Sequence, residues 1–367
     1  MKKVLFITNY ASPYRVSFYD ELGKYMDVTV LFSDRKETKT HRDADWFIGS
    51  QGRFHTVQLT KRAATVGNSD LCLDVIPWLK QDWDHIVVCG YSSPTAILAM
   101  EWLRLHRKPF WMEVDGGLIR PDSGLKLRFK RHLVTRASRW ISSGEATTRY
   151  LSHYGADPAK TEVYPFTSLW AREILPRVPS RQEKQALREK LGMGEEKIVL
   201  YVGRFTRAKG MDYLLEVTPR LEADTGIWFI GGEPGEAHLA FCKENHLDRV
   251  HFVGFRKKQE LLEYYQAADL LVLPTKSDVW GLVINEAMAC GLPVITTDQC
   301  VAGLELIRDG VNGYVVPVGD GEALGEKIRA VLTADYRKMG EKALEAIRPY
   351  TIENMAAAHV KIFGGQE

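Results

Sequence analysis

Ser277-Asp278-Val279-Trp280-Gly281-Leu282-Val283-Ile284-Asn285-Glu286-Ala287-Met288-Ala289-Cys290-Gly291-Leu292-Pro293-Val294-Ile295 is framed by two short apolar runs, residues 270–273 before it and 294–296 at its end. Neither run alternates with polar residues, which is the pattern of strands covered on both faces of a parallel sheet. The segment between them therefore reads as a loop entering a helix. Strand, loop, helix and strand in succession is the unit of a doubly wound α/β fold.

The same unit repeats along the chain. Residues 3–8, 28–32, 85–89, 110–114, 198–202, 227–230, 250–253 and 314–316 are further short apolar runs separated by helical patterns. Ten such strands are too many for one Rossmann-type sheet, so two sheets are expected. The break falls near residues 165–195, where Pro165, Pro176 and Pro179 punctuate a polar stretch. A charged helix over 180–191 and the turn Gly192-Met193-Gly194 follow. This predicts an N-terminal domain over 1–170 and a second over 180–345. A last segment, 346–367, carries an amphipathic helix over 350–363 that returns to the first domain.

Composition agrees with two ordinary globular domains: 367 residues, 45% hydrophobic and 26% charged. A formal net charge of +2 gives no electrostatic footprint for nucleic acid. The five cysteines (Cys72, Cys89, Cys242, Cys290, Cys300) form no CxxC pair and no metal-ligand spacing, and read as reduced thiols in a cytosol. The apolar run after Met1-Lys2-Lys3 is too short for a signal peptide, and no stretch approaches the roughly 20 apolar residues that span a bilayer.

Three loops in the second half carry chemistry, each at the end of an expected strand, where open α/β sheets bind ligands. In the first stretch, Asp278 lies on the loop and Glu286 on the helix. Were the whole span helical, eight residues would separate the two carboxylates by roughly 12 Å, a length that suits a nucleotide sugar. The Gly281, Leu282 and Val283 amides would meet a diphosphate at the helix N-terminus. On spacing alone, two solvated acids beside a buried helix is the equal alternative. The second loop, Gly203-Arg204-Phe205-Thr206-Arg207-Ala208-Lys209-Gly210, offers phosphates a guanidinium fork and a point charge; surface cations are its bland reading. The third, Gly231-Gly232-Glu233-Pro234-Gly235, is a glycine turn and neither a P-loop nor G-x-G-x-x-G.

Together the three loops resemble the retaining family 4 glycosyltransferases of the GT-B fold. That pattern is a G-R-x-x-x-x-K-G loop, a glycine turn, and an E-x7-E segment running into E-A-M-A-x-G-x-P-V-I. The resemblance covers about residues 201–317, including Asp309-Gly310-Val311-Asn312-Gly313. It implies a GT-B protein of two Rossmann-like doubly wound domains facing a central cleft, with no cofactor and no metal. The donor diphosphate would be held by Arg204 and Lys209 beside Gly203, and the ribose by Glu286. Phosphate and sugar would meet the amides of Gly281, Leu282 and Val283, beside the turn of Gly232 and Glu233. The nucleobase would pack near Phe255 and Arg256. Arg204, Lys209, Asp278 and Glu286 are the residues the resemblance ties to catalysis. Asp278 departs from the family's Glu by one methylene, which bears on sugar preference.

The N-terminal half resembles the family less closely. Tyr10-Ala11-Ser12-Pro13-Tyr14-Arg15 replaces the usual Gly-Gly turn, and Arg15 reads equally as a cleft residue or a surface cation at a helix start. Asp115 and Gly116, at the end of the strand over 110–114, are placed beside the transferred sugar on the acceptor side. Asp43-Ala44-Asp45 has the form of a D-x-D metal signature, but it lies apart from the donor motifs and is taken as chance. Residues 124–140 form a basic amphipathic pattern, read either as a helix drawn to anionic membrane or as a packed helix with a solvated face. The function implied is transfer of a sugar, with a UDP-sugar favoured, to a hydroxyl of a glycan or lipid-linked glycan in cell-surface polysaccharide synthesis. The protein is expected in the cytoplasm and peripherally on the inner face of the membrane. The rival is a catalytically degenerate nucleotide-sugar-binding partner of another transferase.

Overall fold

The computed structural model describes residues 1–33, 52–67 and 69–364; the Asp43-Ala44-Asp45 motif lies outside them. The chain divides into two compact units, Met1–Ser168 with Tyr350–Glu367, and Leu169–Pro349.

In the first unit, seven strands form one parallel sheet: β1 (Lys3–Thr8), β2 (Asp27–Phe32), β3 (His55–Gln58), β6 (His85–Cys89), β7 (Trp111–Val114), β8 (Arg139–Ser142) and β9 (Thr161–Val163). Their order is β3-β2-β1-β6-β7-β8-β9. A short antiparallel hairpin, β4 (Arg62–Val66) with β5 (Ser69–Cys72), stands apart. The central strands are buried almost throughout, as helices on both faces require. The sequence reading missed β3 and β9 because edge strands are not apolar: every residue of both is exposed or only partly covered.

The expected basic helix over 124–140 is shorter than the sequence pattern. It spans Gly124–Val134, and Arg139 and Trp140 belong to β8. Trp140 donates its indole N–H to the Val134 carbonyl at 3.0 Å, closing the helix end against the strand. The basic spacing ran across a turn. The terminal helix Ile352–Gly364 lies in this unit, with Lys2 donating to the Phe363 carbonyl at 2.9 Å and Phe363 packed edge-on to Phe6.

The second unit has six parallel strands: β10 (Lys197–Val202), β11 (Thr225–Ile230), β12 (Val250–Val253), β13 (Leu270–Leu273), β14 (Val294–Thr297) and β15 (Gly313–Val316). The order is β12-β11-β10-β13-β14-β15. The charged helix is Arg181–Leu191, opened by Ser180 and Glu183 in a reciprocal capping box and closed by Gly192 in the left-handed region. It is not simply a solvated helix. Lys184 and Arg188 are buried on the fully buried Asp269, at 3.0 and 2.5 Å, and the Ile198 amide donates to the same carboxylate. A buried carboxylate is tolerated only when paired and hydrogen-bonded in this way.

Candidate functional site

Strand order in the second unit reverses between β10 and β13, since β11 and β12 continue on one side of β10 and β13 to β15 on the other. Such a switch point opens a crevice at the carboxyl ends of the strands. The candidate donor residues lie on loops leaving β10, β11, β12 and β13, neighbours in the sheet, so the topology alone brings them to one edge.

Backbone contacts hold these loops together. Gly210 is left-handed (φ +67), and a Cβ there would lie 1.9 Å from the Pro274 carbonyl oxygen, so only glycine lets the loop after β10 touch the loop after β13. Across that contact the Lys276 amide and the Thr275 hydroxyl both donate to the Ala208 carbonyl, each at 2.8 Å. Buried Tyr201 donates to the Arg204 carbonyl at 3.2 Å and reaches that of Lys209 at 3.5 Å, fastening both ends of the loop. On the other side, a Cβ on Gly231 would fall 2.6 Å from the Gly203 carbonyl oxygen. The Gly232 turn lies against the Phe205 ring.

This arrangement puts the Lys209 ammonium on the Asp278 carboxylate as an ion pair, with side chains 21% and 14% exposed. Arg204, on the same loop, is exposed, and no carboxylate among the described residues pairs with it. Glu233 is exposed after β11, next to Gly254. Phe255 presents an exposed ring just past β12, and Arg256 bonds back to its carbonyl at 3.1 Å.

The helical ruler between Asp278 and Glu286 does not hold. Asp278 is in extended backbone, bridged to Cys300, and its amide donates to Gln299 at 2.8 Å. Gly281 (φ +104) then turns the chain, and the helix spans Leu282–Ala289. The Leu282 and Val283 amides are in its first turn, ahead of the helix's own hydrogen-bond ladder, with the positive end of the dipole behind them.

Several residues that brace this segment carry no motif. The Trp280 carbonyl accepts from the Cys300 thiol at 3.0 Å and the Ala302 amide at 2.9 Å, and its indole donates to buried Asn285 at 2.8 Å. Burial, with the Asp278 charge beside it, pushes the Cys300 thiol up to about 12, so it remains a neutral donor. Tyr265, on the helix Lys258–Ala267, donates to Glu286 at 3.0 Å. Burial, then the Glu286 charge, holds that hydroxyl well above the ordinary phenol range. The Tyr264-Tyr265 dipeptide was the only trace of this partner in the sequence.

In the first unit, Arg15 and Asp115 come together as an ion pair, with side chains 12% and 18% exposed. The surface-cation reading of Arg15 is therefore excluded. Tyr164 donates to the second Asp115 oxygen at 3.1 Å, and Gly116 is buried behind it. Burial pushes the Asp115 carboxyl up, Arg15 draws it down and Glu113 pushes it up again, for a net upward displacement. On the helix Gly124–Val134, Lys126 and Lys130 are both committed to Asp122, at 2.9 and 2.5 Å. Leu125 and Phe129 project outward, 82% and 52% exposed. No helix among the described residues is long and apolar enough to cross a membrane.

Comparison with known proteins bears on both units. The family described as glycosyl transferases group 1 matches residues 183–346. Residues 183–346 are thus similar to a glycosyl transferases group 1 domain. That domain holds every donor-side residue named above. A D-inositol 3-phosphate glycosyltransferase of Geodermatophilus obscurus is 32% identical over 230 residues, 58% of this chain and 49% of that protein. An N-acetyl-alpha-D-glucosaminyl L-malate synthase of Bacillus anthracis is 31% identical over 179 residues, 47% and 46% of the two chains. The chain thus spans about half the length of the curated relatives it matches. Among solved structures, sucrose-phosphate synthase of Thermosynechococcus elongatus has a TM-score of 0.76 at 20% identity, covering 100% of this chain and 99% of the other. Anabaena HepE, solved with UDP, has a TM-score of 0.73 at 19% identity, covering 99% and 100%. The fold is GT-B, with two Rossmann-like units as expected from the sequence.

Proposed function

We propose that the protein is a glycosyltransferase that moves a sugar from a nucleotide-sugar donor to a hydroxyl acceptor with retention of anomeric configuration. The observation that carries this is the switch-point edge of the group 1 domain. There Arg204, Lys209 and the first-turn amides after Gly281 converge from loops that glycine contacts hold in place. Positive charge and free N–H groups fixed in advance are what a departing diphosphate requires, and they need not reorganise as charge develops. In this reading Glu286, aligned by Tyr265, takes the ribose hydroxyls, and Asp278 takes the sugar. Phe255 and Arg256 take the base, and Arg15 with Asp115 and Gly116 take the acceptor side. No metal is assigned, because Arg204, Lys209 and the helix terminus supply the positive field.

A UDP-sugar is favoured, supported by the UDP bound in the structurally similar HepE. A growing cell-surface polysaccharide or lipid-linked glycan is the acceptor we favour. A peripheral contact with anionic membrane on the cytoplasmic face is supported by the outward Leu125 and Phe129 and the exposed Arg128 and Arg131 on the helix Gly124–Val134. Flotation with anionic vesicles should recover the wild type and lose the Leu125→Ser, Phe129→Ser double variant; equal recovery removes the membrane from this reading.

The decisive experiment is a thermal-shift panel of UDP, GDP, ADP and dTDP forms on the wild type and Arg204→Ala. A ligand at 100 times its Kd adds about 2.7 kcal/mol of stability, readily seen in the midpoint. One nucleotide should raise the wild-type midpoint and leave Arg204→Ala unmoved. No response to any of them overturns the proposal. Donor hydrolysis then separates a transferase, which leaks some product, from a subunit that only binds.

A further inference from the structure

Beneath the candidate acceptor edge is a second set of ionisable groups that no motif marks. Glu113, in β7, stands two positions before Asp115, so an extended backbone turns both carboxylates to one side of the sheet. Glu113 is 2% exposed. Above it sits His359, fully buried on the terminal helix Ile352–Gly364 and enclosed by the rings of Phe18, Tyr164 and Phe363.

The imidazole has a defined tautomer. Its Nδ1 lies 2.8 Å from the Met355 carbonyl, which can only accept, so Nδ1 carries hydrogen. Its Nε2 is buried without a hydrogen-bond partner among the described residues, and Glu113 Oε2 lies 3.8 Å away. A buried carboxylate needs a cation, and the Arg15 guanidinium is committed to Asp115. A proton on Nε2 answers both deficits at once: it gives the orphaned nitrogen a charge partner and Glu113 its counter-ion.

We infer that His359 is a positioning residue for the Arg15–Asp115 pair and acts on it through Glu113. The inference rests on the reading that places Asp115 at the acceptor side. The groups facing the two carboxylates are Tyr14, Arg15 and Tyr19 from the helix Pro13–Leu22, Cys89 from β6, Tyr164 beyond β9, and His359. Only Arg15 and His359 among them can be cationic. Burial pushes Glu113 up, but the imidazole first, with the Arg15 charge and the Tyr164 hydroxyl, more than offsets this, and Glu113 stays below the ordinary carboxylate value. The Glu113 charge in turn raises the proton affinity of Asp115, against the pull of Arg15. With His359 removed, desolvated Glu113 takes up a proton, Asp115 loses its repelling neighbour, and the hold on Arg15 tightens. His359→Gln and Glu113→Gln therefore lead to the same state of Asp115.

The test is the carboxyl-carbon titration of Asp115 by NMR in the full chain, for the wild type, Glu113→Gln, His359→Gln and the double variant. Each single change should lower the Asp115 midpoint by about one pH unit, within the range for removing a nearby charge, and the double should go no lower. An unmoved midpoint in either single variant, or shifts that add in the double, overturns the inference. If His359→Gln does not fold, near-isosteric Glu113→Gln carries the test. An Asp115 midpoint that does not move in that variant overturns the inference. In turnover, the acid limb should move with the Asp115 midpoint while the donor KM stays constant. Because the titration needs no substrate, a protein that shows the coupling but no nucleotide shift keeps the inference and loses the proposed function.

Discussion

Each unit carries a cation–carboxylate pair at the carboxyl end of its parallel sheet, Lys209 with Asp278 in one and Arg15 with Asp115 in the other. The two are built from different material. Around Lys209 and Asp278 the supports act on the main chain: glycines at loop crossings, amides and a few hydroxyls on carbonyls, and a helix terminus. Around Arg15 and Asp115 they are side chains, contributed by Tyr19, Cys89, Glu113, Tyr164 and His359. A backbone-built site should be brittle to added atoms and tolerant of lost charge. A site built from side chains should behave the opposite way.

The sharpest break is Gly210→Ala. The added methyl cannot coexist with the Pro274 carbonyl, and the left-handed backbone is strained for alanine as well. The loops after β10 and β13 must part, displacing Lys209 and Arg204 by about an ångström. A displacement of that size costs about 100-fold in rate. The expected outcome is loss of the nucleotide-induced thermal shift and a fall of about that order in kcat/KM, with the fold retained by circular dichroism. Normal activity in this variant would mean that the loop crossing does not set the site.

Deleting the cation in each pair inverts the readout. Arg15→Met leaves Asp115 inside the first unit beside like-charged Glu113, and removing one partner of a buried pair costs about 3 kcal/mol. Lys209→Met leaves Asp278, 14% exposed, on a loop held by main-chain hydrogen bonds, which should lower stability less, but it abolishes the nucleotide shift. Chemical denaturation read beside the ligand-induced shift separates the two. Equal stability losses would erase the distinction drawn between the units.

Asp278→Asn acts on the donor pair from its other side. The carboxylate pairs with Lys209, and in the proposed donor reading a diphosphate would have to compete with it. Its removal should tighten free nucleoside diphosphate several-fold while slowing transfer, since the sugar loses its acidic partner. Titration calorimetry and turnover are the measures; weaker diphosphate binding would show that Asp278 holds Lys209 in place rather than competing for it.

The contrast also explains what could be read in the sequence. The donor edge is local: Gly203 to Gly210 and Asp278 to Glu286 each fall within one loop-to-helix turn, and glycine requirements leave spacing behind them. The ten apolar strands were legible for the same reason, since burial on both faces writes itself into consecutive residues. Arg15, Glu113, Tyr164 and His359 are scattered over more than 340 positions, and nothing in their spacing says they meet. Edge strands β3 and β9 escaped because exposure removes the apolar signal. The basic helix was overextended because its charges continue into β8 with an unchanged rhythm. The burial of Lys184 and Arg188 left no sign in the sequence because their counter-ion, Asp269, lies about 80 residues downstream.

The smallest expected effect lies where the donor edge depends on the side chain of a separate helix. Tyr265 is fully buried and spends its hydroxyl on Glu286, the ribose candidate. Tyr265→Phe keeps the ring and its packing and removes only the oxygen, so stability should change by about 1 kcal/mol. What Glu286 loses is orientation rather than charge: with one oxygen no longer held, the carboxylate must be ordered by the donor itself. That ordering falls on binding and not on the chemical step. A donor KM raised about fivefold, equivalent to about 1 kcal/mol, with kcat nearly unchanged is the expected result. A fall in kcat at constant KM would instead place Glu286 among the groups that act only as charge develops, and the donor edge would then depend on a distant side chain as closely as the acceptor edge does.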